Sequence, residues 1–146
     1  MSEQTKVTRE ERPDGEVRLY DAACTFSFRR LSPAPVGGAL LVTITGNDTG
    51  QFGTRTLDEI RLELMRNRPL ELFVDAREAL GAAVSVSDEW TRFFALNREH
   101  LKRVSVLVGS KVVYLTVAIA QHLSRTGNLI QIYSDPEIFE ARLPKK

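Results

Sequence analysis

Apolar and polar positions alternate with period two between Val17 and Leu31, where Cys24, Phe26 and Phe28 fall on one side and Thr25, Ser27 and Arg29 on the other. That alternation predicts a half-buried strand. Pro33, Pro35, Gly37 and Gly38 then break it as a turn, since proline removes donors and paired glycines free the backbone. Leu40-Leu41-Val42-Thr43-Ile44-Thr45 reads as an interior strand bounded by the Gly46-Asn47-Asp48-Thr49-Gly50 turn. The period changes to helical where Leu57, Ile60 and Leu64, with Met65, make one apolar face opposite Arg61, Glu63 and Arg66. Thr56 and Glu59 have capping-box spacing at the start of this helix, and Asn67-Arg68-Pro69 ends it. Leu70 to Asp75 is another strand, followed by a loop from Ala76 to Val86 with Gly81 at its centre. A second helix opens near Ser85 or Ser87, where Ser85 and Asp88 again have capping-box spacing. Trp90, Phe93 and Phe94, then Leu101, form its buried face.

Val104 to Val108 is a short strand ending at Gly109-Ser110. The stretch after it, Lys111 to Arg125, has the β-propensity of a hairpin partner. Its spacing decides for a helix, because Val112, Leu115, Ile119 and Leu123 hold helical phase beyond usual strand length, with Gly127-Asn128 as the stop. Leu129 to Tyr133 is the last strand, and Asp135-Pro136-Glu137 starts a terminal helix. Strands alternating with helices predict an α/β fold, a mixed, mainly parallel β-sheet packed against helices. The first sixteen residues carry Val7 as their one apolar residue besides Met1, and are expected to be a disordered tail ahead of a single domain at residues 17–146.

Composition narrows the function class. The chain of 146 residues is 42% hydrophobic and 27% charged, enough for one core without metal or disulfide staples. Twenty basic and nineteen acidic residues leave a net charge of +1, without the field of a dedicated nucleic-acid binder. The lone Cys24 excludes an internal disulfide and a thiolate metal cage. The Met1 to Lys6 stretch has no apolar leader core. The longest mainly apolar run, Val112 to Ala120, is far below the ~20 residues that span a bilayer. A cytoplasmic protein with no membrane insertion is expected.

His100 and His122 lack a second ligand at metal-binding spacing, and there is no Gly-x-Ser-x-Gly elbow. Gly109-Ser110-Lys111 lacks the upstream glycine of a phosphate-binding loop and is read as turn chemistry. No catalytic residues, metal or cofactor are therefore expected, and the chain is not read as an enzyme. Asp75, at the end of an apolar strand, sits where α/β sheets place ligands, although such a residue also serves simply to bond loop N–H groups. Trp90, Phe93 and Phe94 line a pocket or, as is commoner at this spacing, pack on the sheet.

The succession of strand, glycine-bearing loop, helix, strand ending in Asp75, serine-bearing loop and helix resembles the STAS-like fold, named for sulfate transporters and anti-sigma-factor antagonists. The resemblance covers about Leu40 to Leu143. It rests on Leu40-Leu41-Val42-Thr43-Ile44-Thr45-Gly46, Leu72-Phe73-Val74-Asp75-Ala76-Arg77 and Val84-Ser85-Val86-Ser87-Asp88-Glu89-Trp90. The C-terminal stretches Ser124-Arg125-Thr126-Gly127-Asn128 and Asp135-Pro136-Glu137-Ile138-Phe139-Glu140 are similar to the SpoIIAA-like subgroup, which stands near lipid-carrier folds. The resemblance implies a regulatory serine at the start of the helix after the second strand, the neighbourhood of Ser85 and Ser87. The Asp-Ser-Ser/Thr-Gly signature is replaced here by Val-Ser-Val-Ser-Asp.

The resulting expectation is a non-enzymatic regulatory or protein-interaction module, with a protein partner such as a regulator or kinase and Ser85 or Ser87 as phosphosites. The alternative is a small-molecule or lipid-binding module. In it Trp90, Phe93, Phe94 and Tyr114 line an apolar pocket, and Lys111 or Arg77 holds an anionic head group. The surplus apolar faces of the Lys111 to Arg125 helix point to a homodimer, with a monomer as its competitor.

Overall fold

A computed structural model describes residues 7–31 and 38–144. The chain forms one seven-stranded sheet in which spatial order follows sequence order. Strands β1 (Thr8–Glu11), β2 (Val17–Tyr20), β3 (Cys24–Leu31) and β4 (Gly38–Asp48) make an antiparallel meander. From β4 onward the pairing is parallel, through β5 (Leu70–Ala82), β6 (Leu101–Val108) and β7 (Ile130–Tyr133). Helices α1 (Arg55–Arg66), α2 (Val84–Asn97) and α3 (Lys111–Ser124) make the three crossovers, and α4 (Pro136–Ala141) follows β7. Each crossover steps to the next strand in the same direction. The right-handed rule therefore puts α1, α2 and α3 on one face of the sheet.

The two buried clusters follow that division. On the three-helix face Leu57, Ile60 and Leu64 of α1, Phe93 and Phe94 of α2 and Val113 of α3 pack on Leu40, Val42, Leu72, Val74, Val104 and Val106. On the other face Phe139 of α4 joins Ala39, Phe73 and Leu107, with its ring 6.1 Å from that of Phe73. The expected α/β class holds, and the Lys111 to Arg125 stretch is a helix rather than a hairpin. Ser110 caps it by accepting the Val113 N–H, while Arg125, in the left-handed conformation with φ 56°, ends it two residues before the expected Gly127 stop. Asp135 caps α4 by accepting the Glu137 N–H, with Pro136 opening the first turn as expected.

Several expectations are corrected. Within the predicted tail, Thr8–Glu11 form an edge strand paired with Val17–Tyr20, and Arg9 reaches Glu59 of α1 at 3.0 Å. An edge strand needs one partner and no buried face, so hydrophobic pattern does not reveal it; residues 1–6 lie outside the description. The single strand predicted from Val17 to Leu31 is two, separated by a turn in which Asp21 Oδ1 accepts the Ala23 and Cys24 N–H groups. The Pro33 to Gly37 part of the predicted turn lies outside the described residues, and Gly38 already belongs to β4.

Neither capping box forms. Thr54 stands at the N-cap position of α1 without a side-chain cap, its hydroxyl donating instead to Asp58 Oδ2 at 3.0 Å, while Thr56 is buried inside the helix and Glu59 pairs with Arg9. Met65 is 76% exposed and off the apolar face, whereas Glu63 is buried, receiving Arg30 Nε at 2.8 Å and the Asn67 side-chain amide at 2.9 Å. Helix α2 begins at Val84 after an extended Ala83, so Ser85 lies in its first turn instead of capping it.

The largest correction concerns the loop expected from Ala76 to Val86. Most of it continues β5, paired with β4 through two register shifts as far as Asp48 opposite Ala82. Because β5 runs on beyond the end of β6, the chain leaving β6 passes close beside it. Gly109 does so with the position of a β-carbon only 2.2 Å from the Arg77 carbonyl oxygen. Gly109→Ala is accordingly expected to lower the unfolding free energy by about 2 kcal/mol or more, since backbone rather than a flexible side chain must move. Urea titration followed by circular dichroism measures it.

Candidate functional site

At the C-terminal ends of the parallel strands a cavity of about 100 Å³ opens between α2, α3 and the sheet. Its origin is a defect in the β4–β5 ladder. Thr43 faces Asp75 and Thr45 faces Glu78, so two β5 residues, Ala76 and Arg77, oppose Ile44 alone. Such a bulge shifts the side-chain alternation by one position. Before it Leu72 and Val74 face the helices; after it Ala79 does, and a second register shift, between Gly46 and Asn47, passes over Leu80 and brings Ala82 opposite Asp48. Small side chains there leave space that a regular strand of larger residues would fill. Val106 and Val117 close two sides, and Trp90 and Phe94 the third, their ring centroids 5.7 Å apart.

Asp48 is the charged residue of the lining, and it is 4% exposed. The even-numbered series Leu40, Val42, Ile44 puts it on the helix face, and Gly46 lets the strand reach that point. Gly46 has φ 88°, and a β-carbon there would stand 2.1 Å from the Ala23 carbonyl oxygen. Asp48 Oδ1 accepts the Gly50 N–H at 3.0 Å, and its main-chain carbonyl accepts the Ala83 N–H at 2.8 Å. Burial pushes its carboxyl above the ordinary carboxylate range; the Gly50 N–H works against this, and the nearby charges of Glu89 and Asp21 add to it. The neighbouring Cys24 thiol is pushed up to about 12, first by burial and then by Asp48 and Asp21. It stays an un-ionised, unreactive thiol at neutral pH.

The residues singled out from sequence do not converge. Ser87 and Trp90 line the cavity, while Ser85 is exposed in the first turn of α2. Asp75 and Arg77 lie in the β5 segment before and at the bulge and pair with each other, Arg77 Nη2 standing 3.0 Å from Asp75 Oδ2 and 3.9 Å from Glu140 of α4. Asp75 is inside β5 rather than at its end, and its Oδ1 also accepts the Arg77 main-chain N–H at 3.2 Å, the N–H-bonding role weighed from sequence. Lys111 and Tyr114 are exposed on α3 and, with Arg77, are absent from the lining. Phe93 is buried in the core with the Arg61 guanidinium 5.5 Å above its ring. Among the described residues no group of three or more His, Cys, Asp or Glu side chains is placed to hold a metal ion. None of the helices described there is long and apolar enough to cross a membrane.

Asp48 was not anticipated, because the Gly46 to Gly50 stretch has turn composition. The signal was present in the phase of the preceding strand, which carries through to position 48. A prediction follows from its burial. The fold holds the Asp48 proton more tightly than the unfolded chain does, so its contribution to stability is present below the ordinary carboxylate range and is lost as pH rises through the raised value. Asp48→Asn, which mimics the neutral form, is expected to melt higher than the parent chain at pH 7, with the difference narrowing as pH falls below 4. Calorimetry across that range checks the sign.

No family model matches the chain, and no curated protein matches it. Among solved structures it is similar to an uncharacterized protein of the DUF3478 family with a SpoIIAA-like fold from Shewanella loihica PV-4. The likeness has a TM-score of 0.57 and 14% identity, covering 84% of this chain and 94% of that one. At that identity the match speaks to architecture: the chain has a SpoIIAA-like α/β fold.

Proposed function

We propose that the chain is a non-enzymatic protein-interaction module whose docking surface is the outer row of α3. The observation that carries this reading is the row itself. Val112, Leu115, Ile119 and Leu123 stand at helical spacing and are each between 56% and 63% exposed. A continuous apolar strip of this kind is a typical protein-contact surface. Helix α3 contains no acidic residue, and Lys111 and His122 flank the strip, which suits a partner, a regulator or kinase, that carries acidic side chains beside its own apolar ones. A second copy of the chain is the other occupant, giving the homodimer expected from sequence. Of the two serines Ser85 is the better placed for modification, since Ser87 forms part of the cavity wall. A phosphate there adds about −1.5 to −2 charges beside Asp88 and Glu89, and favours release of an acidic partner.

Sedimentation at micromolar concentrations tests the self-association arm. The parent chain is expected to form a dimer, and Ile119→Glu to sediment as a monomer with an unchanged circular dichroism spectrum. A 16.4 kDa species at every concentration removes the second copy as occupant. For the switch, intact-mass measurement of protein from its native host is expected to show a phosphate that maps to Ser85. A uniformly unmodified chain, with association indifferent to Ser85→Glu, sinks it.

The cavity favours a second reading, a module for a small apolar ligand. Its lining contains no lysine or arginine, so the anionic head group expected at Arg77 or Lys111 has nothing to hold it there.

A further inference from the structure

The lining carries one charged residue, Asp48, with two further carboxylates close to it. Of its polar lining groups, Thr116 donates its hydroxyl to the Val112 carbonyl and is occupied, Ser87 is half-buried, and Asp48 carries the charge. Asp48 Oδ1 accepts the Gly50 N–H at 3.0 Å. Asp21, whose charge acts on the same site, has a buried Oδ2 with no partner, and Glu89 adds a third carboxylate nearby. A carboxylate as buried as Asp48 has lost most of its hydration, and a cationic N–H donor returns part of what burial removed. An anion meets three like charges there. A neutral ligand gains apolar contact and leaves the carboxylate as it was.

We propose that this cavity binds a small amphipathic amine, its ammonium on Asp48 and its apolar part among Val106, Val117 and Trp90. The assignment rests on the second reading above, that the cavity is a ligand site. Its size bounds the apolar part. A cavity of about 150 Å³ holds benzene, so about 100 Å³ accepts a short branched chain.

The probes share one small branched apolar group: 2-methylpropylamine, 2-methylpropanol and 2-methylpropanoate. Trp90 is the single tryptophan and lines the cavity, so its fluorescence reports occupancy without interference, and amide chemical shifts confirm the place. The amine is expected to bind at least about tenfold tighter than the alcohol, the worth of one charge-assisted hydrogen bond, and the carboxylate not at all. Asp48→Asn, expected to be the more stable protein at neutral pH, should bring the amine down to the affinity of the alcohol and leave the alcohol unchanged. Ala120→Leu, which extends a lining side chain into the space, should abolish binding of both. An alcohol that binds as well as the amine, or an amine preference that survives Asp48→Asn, overturns the amine assignment and leaves the cavity as an apolar site. If no probe perturbs Trp90, or if binding is indifferent to Ala120→Leu in a chain that keeps its circular dichroism spectrum, the cavity reading falls with it.

Discussion

The pairing of β4 with β5 is the constraint on which the rest of the molecule depends. It is the place where the sheet turns from antiparallel to parallel, and it runs from Gly38 opposite Leu70 to Asp48 opposite Ala82. Parallel pairing demands a crossover, so α1 must lie over the sheet, and the unbroken order of strands sends α2 and α3 to the same side. The other face is left to one short helix, which is why Phe139 is so completely buried there. The extra length of this pair past β6 is also what requires glycine at position 109.

The same ladder accounts for a cavity in an otherwise close-packed core. Regular alternation would have sent the side chains of alternate β5 residues into the space under α2 and α3. Two register shifts, at Ile44 and after Gly46, instead put the small residues Ala79, Gly81 and Ala82 along the lining, with Trp90 at its wall. An empty apolar volume costs stability, as does a carboxyl buried beside it. Both costs fall at one place, at the C-terminal ends of the parallel strands.

What could be read from sequence was what local chemistry decides. Leu40 to Thr45 is β-branched and apolar, Leu57, Ile60 and Leu64 share a helical face, and Asp135-Pro136 starts α4 within two residues. Helix α3 was readable by length alone against its own β-propensity. Other features depended on partners distant in the chain. Ala79 to Ala82 has no β-propensity and becomes strand because β4 supplies its hydrogen bonds as far as Asp48. Thr8 to Glu11 becomes strand because β2 does the same, with Glu59 receiving Arg9. Of the proposed site, the Trp90 wall was visible as an aromatic stripe. The carboxyl was hidden in a turn-like sequence, and the cavity was hidden in a bulge whose register only the neighbouring strand defines.

The charged strand at the start of the sheet has a consequence for the molecule in a crowded solution. Thr8-Arg9-Glu10-Glu11 is the outermost strand on that side, lying against Val17-Arg18-Leu19-Tyr20. An open sheet margin is a template for other chains, and charge along it discourages their addition. Here the charges lie on a strand held by its ladder and by Arg9 on Glu59, in front of a β2 whose Leu19 belongs to the core. The four residues therefore cover the β2 margin, which their removal would lay bare.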